Sequence, residues 1–110
     1  MSLGTAPTSI RRFVDAAAKR DFAAVGECFT EDATVSDEAR TYRGRTEIRR
    51  WQEESREKWE YALTVKKGTL LRPDAYVFEG HLKGNFPGGD ADVTYEFTLH
   101  AGLISRLVIS

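Results

Sequence analysis

Hydrophobic and polar residues follow two different periods along this chain, one in each half. In the first half apolar residues recur at helical spacing, as Ile10, Phe13 and Ala17 do. From Tyr61 onward apolar residues alternate with polar ones, which is the period of a half-buried strand. The pattern therefore predicts helices first and strands afterwards, an α+β fold with the helices on one face of an antiparallel sheet.

The first half is predicted to hold three helices and one short strand. Asp21 is a suitable N-cap for the second helix, and Gly26 inside that helix suggests close packing, because glycine lowers helix propensity. A polar loop that closes at Gly44 is expected before the third helix. The predicted elements are a helix that begins at Thr8 or Ser9, a helix from Asp21 to about Phe29, a strand from Ala33 to Asp37, and a helix from about Thr46 to the region of Trp59.

Four strands are predicted in the second half, separated by turns at residues 72–75, 84–90 and 100–102. Gly80 lies inside the second of these strands and predicts a bulge or a sharp curl. The last strand, from Leu103 to Ile109, is apolar on both faces, so the alternation leaves its register open. A sheet that curls around the helices encloses a cone, and a cone lined by aromatic residues is a natural small-molecule pocket.

Asp37 contradicts the pattern of the strand in which it lies. Ala33, Val35 and Asp37 share one face of that strand because side chains alternate. If the two apolar residues face the interior, so does the acid. Local contradictions of this kind are typical of functional sites. The alternative is that Asp37 caps a turn or pairs with Arg40, Arg43 or Arg45.

Composition and charge exclude several classes of protein. The 110 residues fit one domain, for which we expect residues 8–110, after a disordered stretch at residues 1–7. The net charge of −1 offers no field for nucleic acid or an anionic membrane, and no apolar run approaches the ~20 residues of a membrane span. The single cysteine, Cys28, excludes an internal disulfide and a CxxC metal site. We expect a cytoplasmic protein with neither a metal nor another cofactor.

The sequence resembles the nuclear transport factor 2-like superfamily, which includes the ketosteroid isomerases and the SnoaL-like polyketide cyclases. Asp21, Gly44 and the segments at residues 29–37, 48–51, 84–88 and 95–104 carry the resemblance, which covers nearly the whole chain. It implies a curved sheet that wraps around N-terminal helices, with an internal pocket. It also implies a homodimer, whereas activity varies widely on this fold.

Three positions bear on chemistry when they are matched to the isomerases. Asp37 matches their general base, an acid that moves a proton next to a carbonyl. Phe13 falls where they place an oxyanion tyrosine, so the hydroxyl is missing here. Their second oxyanion group falls at Thr94 or Tyr95, and Tyr95 has the parity of an inward-facing residue. The resemblance therefore implies a pocket with Asp37 and Tyr95 as catalytic candidates and argues against steroid isomerisation.

Large apolar residues on the inward faces are the candidates for the pocket wall, although the same residues would also fill a core. His81 falls on the opposite face of its strand and is expected on the outside of the sheet, unless the Gly80 bulge turns it inward. With no carboxylate cluster near either histidine, a metal site is not expected. The expected lining residues are Phe13, Val35, Trp51, Tyr61, Phe78 and Phe97, with Tyr42 and Trp59 at the mouth or at a dimer contact.

Two functions of different classes remain open from the sequence. The first is an isomerase, cyclase or dehydratase that acts on a small apolar carbonyl compound, with Asp37 as general base. The second is a non-catalytic domain that binds a hydrophobic ligand or pairs with a second copy of itself.

Overall fold

The order of elements along the chain is the α+β order that the two periods predict. A computed structural model describes residues 6–110. The elements are α1 (Thr8–Lys19), α2 (Phe22–Glu27), β1 (Phe29–Asp37), β2 (Arg40–Arg43), α3 (Gly44–Lys58), β3 (Tyr61–Arg72), β4 (Ala75–Gly84), β5 (Asp90–His100) and β6 (Leu103–Ile109). Of the stretch expected to be disordered, residues 1–5 lie outside the described part of the chain, and Ala6 is buried.

The six strands form one curved, open sheet in the order β2-β1-β6-β5-β4-β3. The neighbours are antiparallel, as predicted, except for β1 and β6, which run parallel. Parallel neighbours need a long connection between them. Here that connection is the whole segment from β2 to β5, which includes α3 and the β3–β5 meander.

The first half differs from its prediction mainly around β1. Asp21 caps α2 as predicted, because its Oδ1 accepts a hydrogen bond of 3.2 Å from the amide of Ala24. The segment predicted as a polar loop contains β2, which the sequence did not reveal because its residues are mostly exposed and polar. Backbone pairing with β1 stabilises β2, with Val35 opposite Tyr42, and β2 itself has no alternation of apolar and polar residues. At Gly26 a methyl group would have its nearest heavy atom 3.9 Å away, so close packing does not explain this glycine.

Three register irregularities interrupt the pairing of β3 to β6, and one of them lies between Leu70 and Arg72 at the end of β3. The bulge expected at Gly80 lies on the strand opposite, since β3 carries an extra residue between Val65 and Lys67 where β4 passes from Gly80 to Glu79. Another irregularity lies between β5 and β6, where Ile104 pairs with Leu99 and Arg106 with Thr98. The extra residue in β6 lets both Ile104 and Leu107 point inward, which explains why simple alternation could not assign this strand.

The core between the helices and the sheet is a continuous aromatic cluster. Phe13 on α1 lies at its centre, with ring centroids 5.5 Å from Phe29, 6.0 Å from Phe97 and 6.4 Å from Trp51. Phe78 and Tyr95 stack on neighbouring strands at 4.6 Å. These rings fill the narrow part of the cone, so the open space lies towards the other end. Among residues 6–110, no helix combines the length and the apolar composition that spanning a bilayer requires.

Candidate functional site

A cavity of about 670 Å³ opens at the wide end of the cone, between the C-terminal half of α3 and the ends of β1, β4, β5 and β6. Its wall combines aromatic and aliphatic side chains with a few polar groups, the composition expected of a small-molecule site. The lining residues are Asp37, Glu38, Ala39, Trp51, Ser55, Trp59, Tyr61, Leu82, Phe86, Pro87, Ala91, Asp92, Val93, Tyr95, Ile109 and Ser110.

Asp37 is the half-buried acid of this wall. It is the last residue of β1 and precedes a two-residue turn in which Glu38 and Ala39 both have positive φ angles, 51° and 63°. Oδ2 of Asp37 accepts a hydrogen bond of 3.1 Å from the indole N–H of Trp51. No ion pair within 4.0 Å joins Asp37 to a described arginine. The acid therefore has an uncharged partner rather than a counter-ion.

The surroundings of Asp37 raise its pKa above the usual value of 3.8. Burial is the main cause, because desolvation disfavours the charged carboxylate, and the negative charge of Glu38 adds to it. The hydrogen bonds from Trp51 and from the backbone of Glu38 act in the opposite direction but do not cancel the effect of burial. A carboxylate with a raised pKa is a stronger base than an ordinary aspartate, which suits proton abstraction.

Trp51 reaches Asp37 because α3 lies directly across β1 and β2. The helix begins at Gly44, whose φ of 83° allows the sharp turn out of β2, and Glu47 accepts a hydrogen bond of 3.1 Å from the amide of Arg43. The Trp51 ring stacks on Phe13 with planes 15° apart. Packing therefore fixes the orientation of the indole, so that its N–H points to the carboxylate.

Two phenols and a serine line the same cavity as Asp37. Burial raises the pKa of Tyr95, to which the nearby Tyr61 and Asp37 also contribute, so this hydroxyl stays protonated and can donate a hydrogen bond. The Tyr61 hydroxyl lies 3.2 Å from Oγ of Ser55. The cavity wall therefore holds both a base and phenolic hydrogen-bond donors.

The residues singled out in the sequence divide into two groups. Asp37, Tyr95, Trp51 and Tyr61 meet at the cavity. Phe13, Val35, Phe78 and Phe97 were expected on the same wall but are at most 2% exposed and lie in the core behind it. Their strand parity and helical spacing correctly indicate inward side chains. Whether an inward side chain lies in the core or on the cavity wall depends on how much of the cone the helices occupy at that position.

Several cavity residues were not predicted, although the sequence pattern around some of them indicates an inward side chain. Ser55 occupies the apolar stripe of α3 between Trp51 and Trp59, so its helical spacing already placed it on the inner face. Leu82 has the same strand parity as Phe78. The contributions of Glu38 and Ala39 could not be inferred, because the turn that brings them to the cavity depends on the unrecognised β2.

His81 lies on the outer face of the sheet, as its parity predicts, but it is not isolated from acids. Its Nδ1 is 2.8 Å from Oδ1 of Asp92, the residue opposite it on β5, and its Nε2 is 3.9 Å from Oδ1 of Asp90. The expectation that no carboxylates cluster near this histidine was therefore wrong. The hydrogen bond from His81 and the charge of Lys66 lower the pKa of the exposed Asp92. No group suited to a metal ion occurs within residues 6–110.

Comparisons with known proteins agree on one family and fold. The profile of the SnoaL-like domain matches residues 10–107. A protein from Sinorhizobium meliloti that is called a polyketide cyclase is 29% identical over the full length of both chains, and its crystal structure superposes with a TM-score of 0.94. No curated protein sequence matches the chain.

Two more distant structures share the fold and contain small molecules. A Catenulispora acidiphila protein with a ketosteroid isomerase-like fold, in complex with trimethylamine, is 20% identical over 94% of this chain and 85% of its own, with a TM-score of 0.84. A Mycobacterium tuberculosis protein in complex with estradiol-17beta-hemisuccinate is 12% identical over 92% of this chain and 88% of its own, with a TM-score of 0.78. At these identities the similarity shows the fold alone.

Proposed function

The chain belongs to the SnoaL-like domain family, and on that premise we propose that it binds a small apolar carbonyl compound in the cavity and moves a proton with Asp37 as general base. The observation that carries this proposal is the position of Asp37, a half-buried carboxylate with a raised pKa on the wall of a mainly apolar cavity. Isomerisation, cyclisation and dehydration all begin with such a proton transfer.

The proposed step uses two groups of the cavity wall, Asp37 and Tyr95. The Asp37 carboxylate removes a proton from the carbon next to the carbonyl, and the electrons of the broken C–H bond form a C=C bond to the carbonyl carbon. The oxygen that becomes negative accepts a hydrogen bond from the protonated hydroxyl of Tyr95. Asp37 then returns the proton to another atom of the substrate, so the enzyme ends unchanged. Trp51 keeps the carboxylate oriented throughout.

The binding partner is proposed from the composition of the wall. Trp59, Leu82, Phe86 and Val93 supply apolar surface, and a volume of about 670 Å³ accommodates a compound of one to several rings. Structures with this fold hold an amine and a steroid ester, which supports small ligands of varied chemistry.

A non-catalytic ligand-binding domain is the second candidate. Phe13 supplies no hydroxyl and is buried behind the wall, which favours this alternative because one phenolic donor fewer can reach a substrate oxygen. The two candidates agree on the ligand and differ on turnover.

A thermal-shift screen of cyclic enones, hydroxyquinones and lactones tests the proposal. We expect a compound that stabilises the wild type to lose most of its effect in Asp37→Asn, and turnover of that compound to be abolished. Asp32→Asn is the matched control, since Asp32 lies exposed on the same strand. A ligand that binds both proteins equally and is turned over undiminished by Asp37→Asn would refute the role of the acid. Ligand binding that depends on Asp37 without any turnover would favour the second candidate.

We also propose a homodimer that forms through the outer face of the sheet. Thr64, Val77, Glu79 and Thr94 give this face the mixture of polar and apolar groups found in moderately polar interfaces. Sedimentation equilibrium at micromolar concentration should give the mass of two chains, and the mass of one chain would contradict the proposal.

A further inference from the structure

Tyr61 is a polar residue of the cavity wall that the proposed proton transfer does not use. It is the first residue of β3, at the junction with α3, and its side chain is partly buried. It lines the main cavity together with Ser55 and Tyr95. A phenol in this position can donate a hydrogen bond to a ligand oxygen, provided that its hydroxyl group lies at the cavity.

The hydroxyl group of Tyr61 lies at the main cavity because its hydrogen-bond partner does. The hydroxyl oxygen is 3.2 Å from Oγ of Ser55. Ser55 lines the main cavity but not the smaller pocket of about 170 Å³ that Tyr61 also borders. Either oxygen can be the donor in this pair. When Ser55 donates, the phenolic hydrogen of Tyr61 is available to a ligand oxygen.

Arg56 fixes the orientation of Tyr61 through two contacts. Its guanidinium carbon lies 4.0 Å from the centroid of the Tyr61 ring, and Nη1 donates a hydrogen bond of 2.7 Å to the backbone oxygen of the same residue. A planar guanidinium group that lies over a ring and bonds to its backbone restricts the rotation of the phenol. Arg56 borders the smaller pocket and not the main cavity, so a ligand in the cavity meets the phenol rather than the cation.

Arg56 also brings positive charge close to the phenols of the cavity. It takes part in none of the ion pairs that the described residues form within 4.0 Å. Burial raises the pKa of Tyr95, and the charge of Arg56 acts in the opposite direction. The field of Arg56 therefore reaches the phenols and favours negative charge on an oxygen bound to them.

The backbone next to Tyr61 is held by the loop after β4. The amide of Glu60 donates a hydrogen bond of 2.9 Å to Oδ1 of Asn85, and the amide of Asn85 donates one of 3.0 Å to the backbone oxygen of Glu60. Gly84 lies opposite Tyr61 in the β3–β4 pairing, and a methyl group there would lie 2.7 Å from Cβ of Tyr61. Tyr61 is thus fixed at its backbone and at its ring, and a donor fixed in this way needs no reorganisation when charge develops.

We propose that Tyr61 donates a second hydrogen bond to the substrate oxygen that becomes negative, beside the one from Tyr95. Two donors stabilise the developing charge more than one does. Tyr61 would supply from β3 the hydroxyl group that Phe13 lacks on α1. Ser55 and Arg56 are positioning residues here, because they orient Tyr61. The inference rests on the proposed function, since it concerns the oxygen of the same carbonyl compound.

The enolate of dimedone, 5,5-dimethylcyclohexane-1,3-dione, is the probe for this donor. Dimedone is ionised at neutral pH and resembles the enolate that the proposed proton transfer forms. Isophorone has nearly the same shape, with a methyl group in place of the anionic oxygen. Binding is measured in Asp37→Asn, because Asp37 is neutral after it has taken the proton, as asparagine is. The indole N–H signals of Trp51 and Trp59 follow binding in two-dimensional NMR, since both residues line the cavity.

Adding Tyr61→Phe should weaken dimedone binding by about 10- to 100-fold and isophorone binding by at most about threefold. The reason is that a hydrogen bond to a charged oxygen is much stronger than one to a neutral carbonyl oxygen. Tyr42→Phe is the matched control and should change neither affinity, because Tyr42 lies outside the main cavity. Ser55→Ala should lower the ratio of dimedone to isophorone affinity by a smaller factor, since Tyr61 keeps its hydroxyl group but loses its partner.

The ratio of the two affinities separates hydrogen bonding from general damage to the cavity, which would weaken both ligands equally. An unchanged ratio in Tyr61→Phe, or in Ser55→Ala if the first variant does not fold, would overturn the proposal. A failure of dimedone to bind would also overturn it. No proton is transferred in this experiment, so these outcomes are distinct from a failure of Asp37 as the base, which would appear as turnover that survives Asp37→Asn.

Discussion

The indole N–H of Trp51 donates a hydrogen bond of 3.1 Å to Oδ2 of Asp37 and so joins the middle of α3 to the end of β1. The acid is half-buried, and this neutral donor stabilises its charged form. The sequence had left open an ion pair with an arginine instead. A neutral partner leaves the carboxylate basic, whereas a cation would lower its pKa. The basicity of Asp37 therefore depends on which residue of α3 faces the end of β1.

Replacement of Trp51 by phenylalanine should raise the pKa of Asp37 further. The substitution keeps an aromatic ring against Phe13 but removes the donor that favours the carboxylate. We also expect a loss of about 1–3 kcal/mol in the free energy of unfolding, because a partly buried acid loses its partner. Carbon-detected NMR titration of the Asp37 carboxyl group measures the first effect and urea unfolding the second. Trp59→Phe is the control, and an unchanged pKa in Trp51→Phe would show that the hydrogen bond is unimportant.

Asp37→Asn should stabilise the protein at neutral pH. A carboxyl group whose folded-state pKa is raised costs stability above that pKa, and the cost disappears as the pH falls towards the ordinary value of 3.8. Asparagine carries no charge to desolvate and can still accept the hydrogen bond from Trp51. Thermal melting from pH 7 to pH 4 should show a higher Tm for the variant at pH 7 and a shrinking difference at lower pH. A variant that melts lower at every pH would indicate that Asp37 is a structural cap.

The turn between β1 and β2 holds two non-glycine residues in the left-handed region, Glu38 and Ala39. Such residues pay a steric cost that glycine does not. Ala39→Gly should therefore raise the free energy of unfolding by about 1 kcal/mol. Ala23→Gly, at an exposed helical position of α2, should lower it by about 0.5–1 kcal/mol. Urea unfolding of both variants measures the contrast, and a destabilised Ala39→Gly would contradict the strained turn.

Two glycines should respond to alanine in opposite ways. A methyl group at Gly68 on β3 would collide with the buried Tyr76 ring, 2.8 Å from its Cζ and closer to its hydroxyl, so Gly68→Ala should cost about 1–3 kcal/mol. Gly26 in α2 has room for a methyl group, and Gly26→Ala should gain up to about 1 kcal/mol from helix propensity. Thermal unfolding of the two variants compares them directly. A stabilised Gly68→Ala would show that Tyr76 moves aside at little cost.

Local patterns identified most of the fold because they depend on neighbours along the chain. Helical spacing located α1 and α3, and the carboxylate cap at Asp21 located α2. Strand alternation gave the inward faces of β4 and β5, and turn residues marked where they end. The exception was β2, whose four residues carry no apolar pattern and become a strand only because β1 lies beside them.

By itself the sequence determined the α+β order, the family resemblance and the inward parity of Asp37 and Tyr95, because alternation along a strand is a local property. The tertiary structure decided which inward residues border open space. Phe78 and Phe97 share the parity of Tyr95, yet only Tyr95 reaches the cavity, since the aromatic cluster around Phe13 fills the narrow end of the cone.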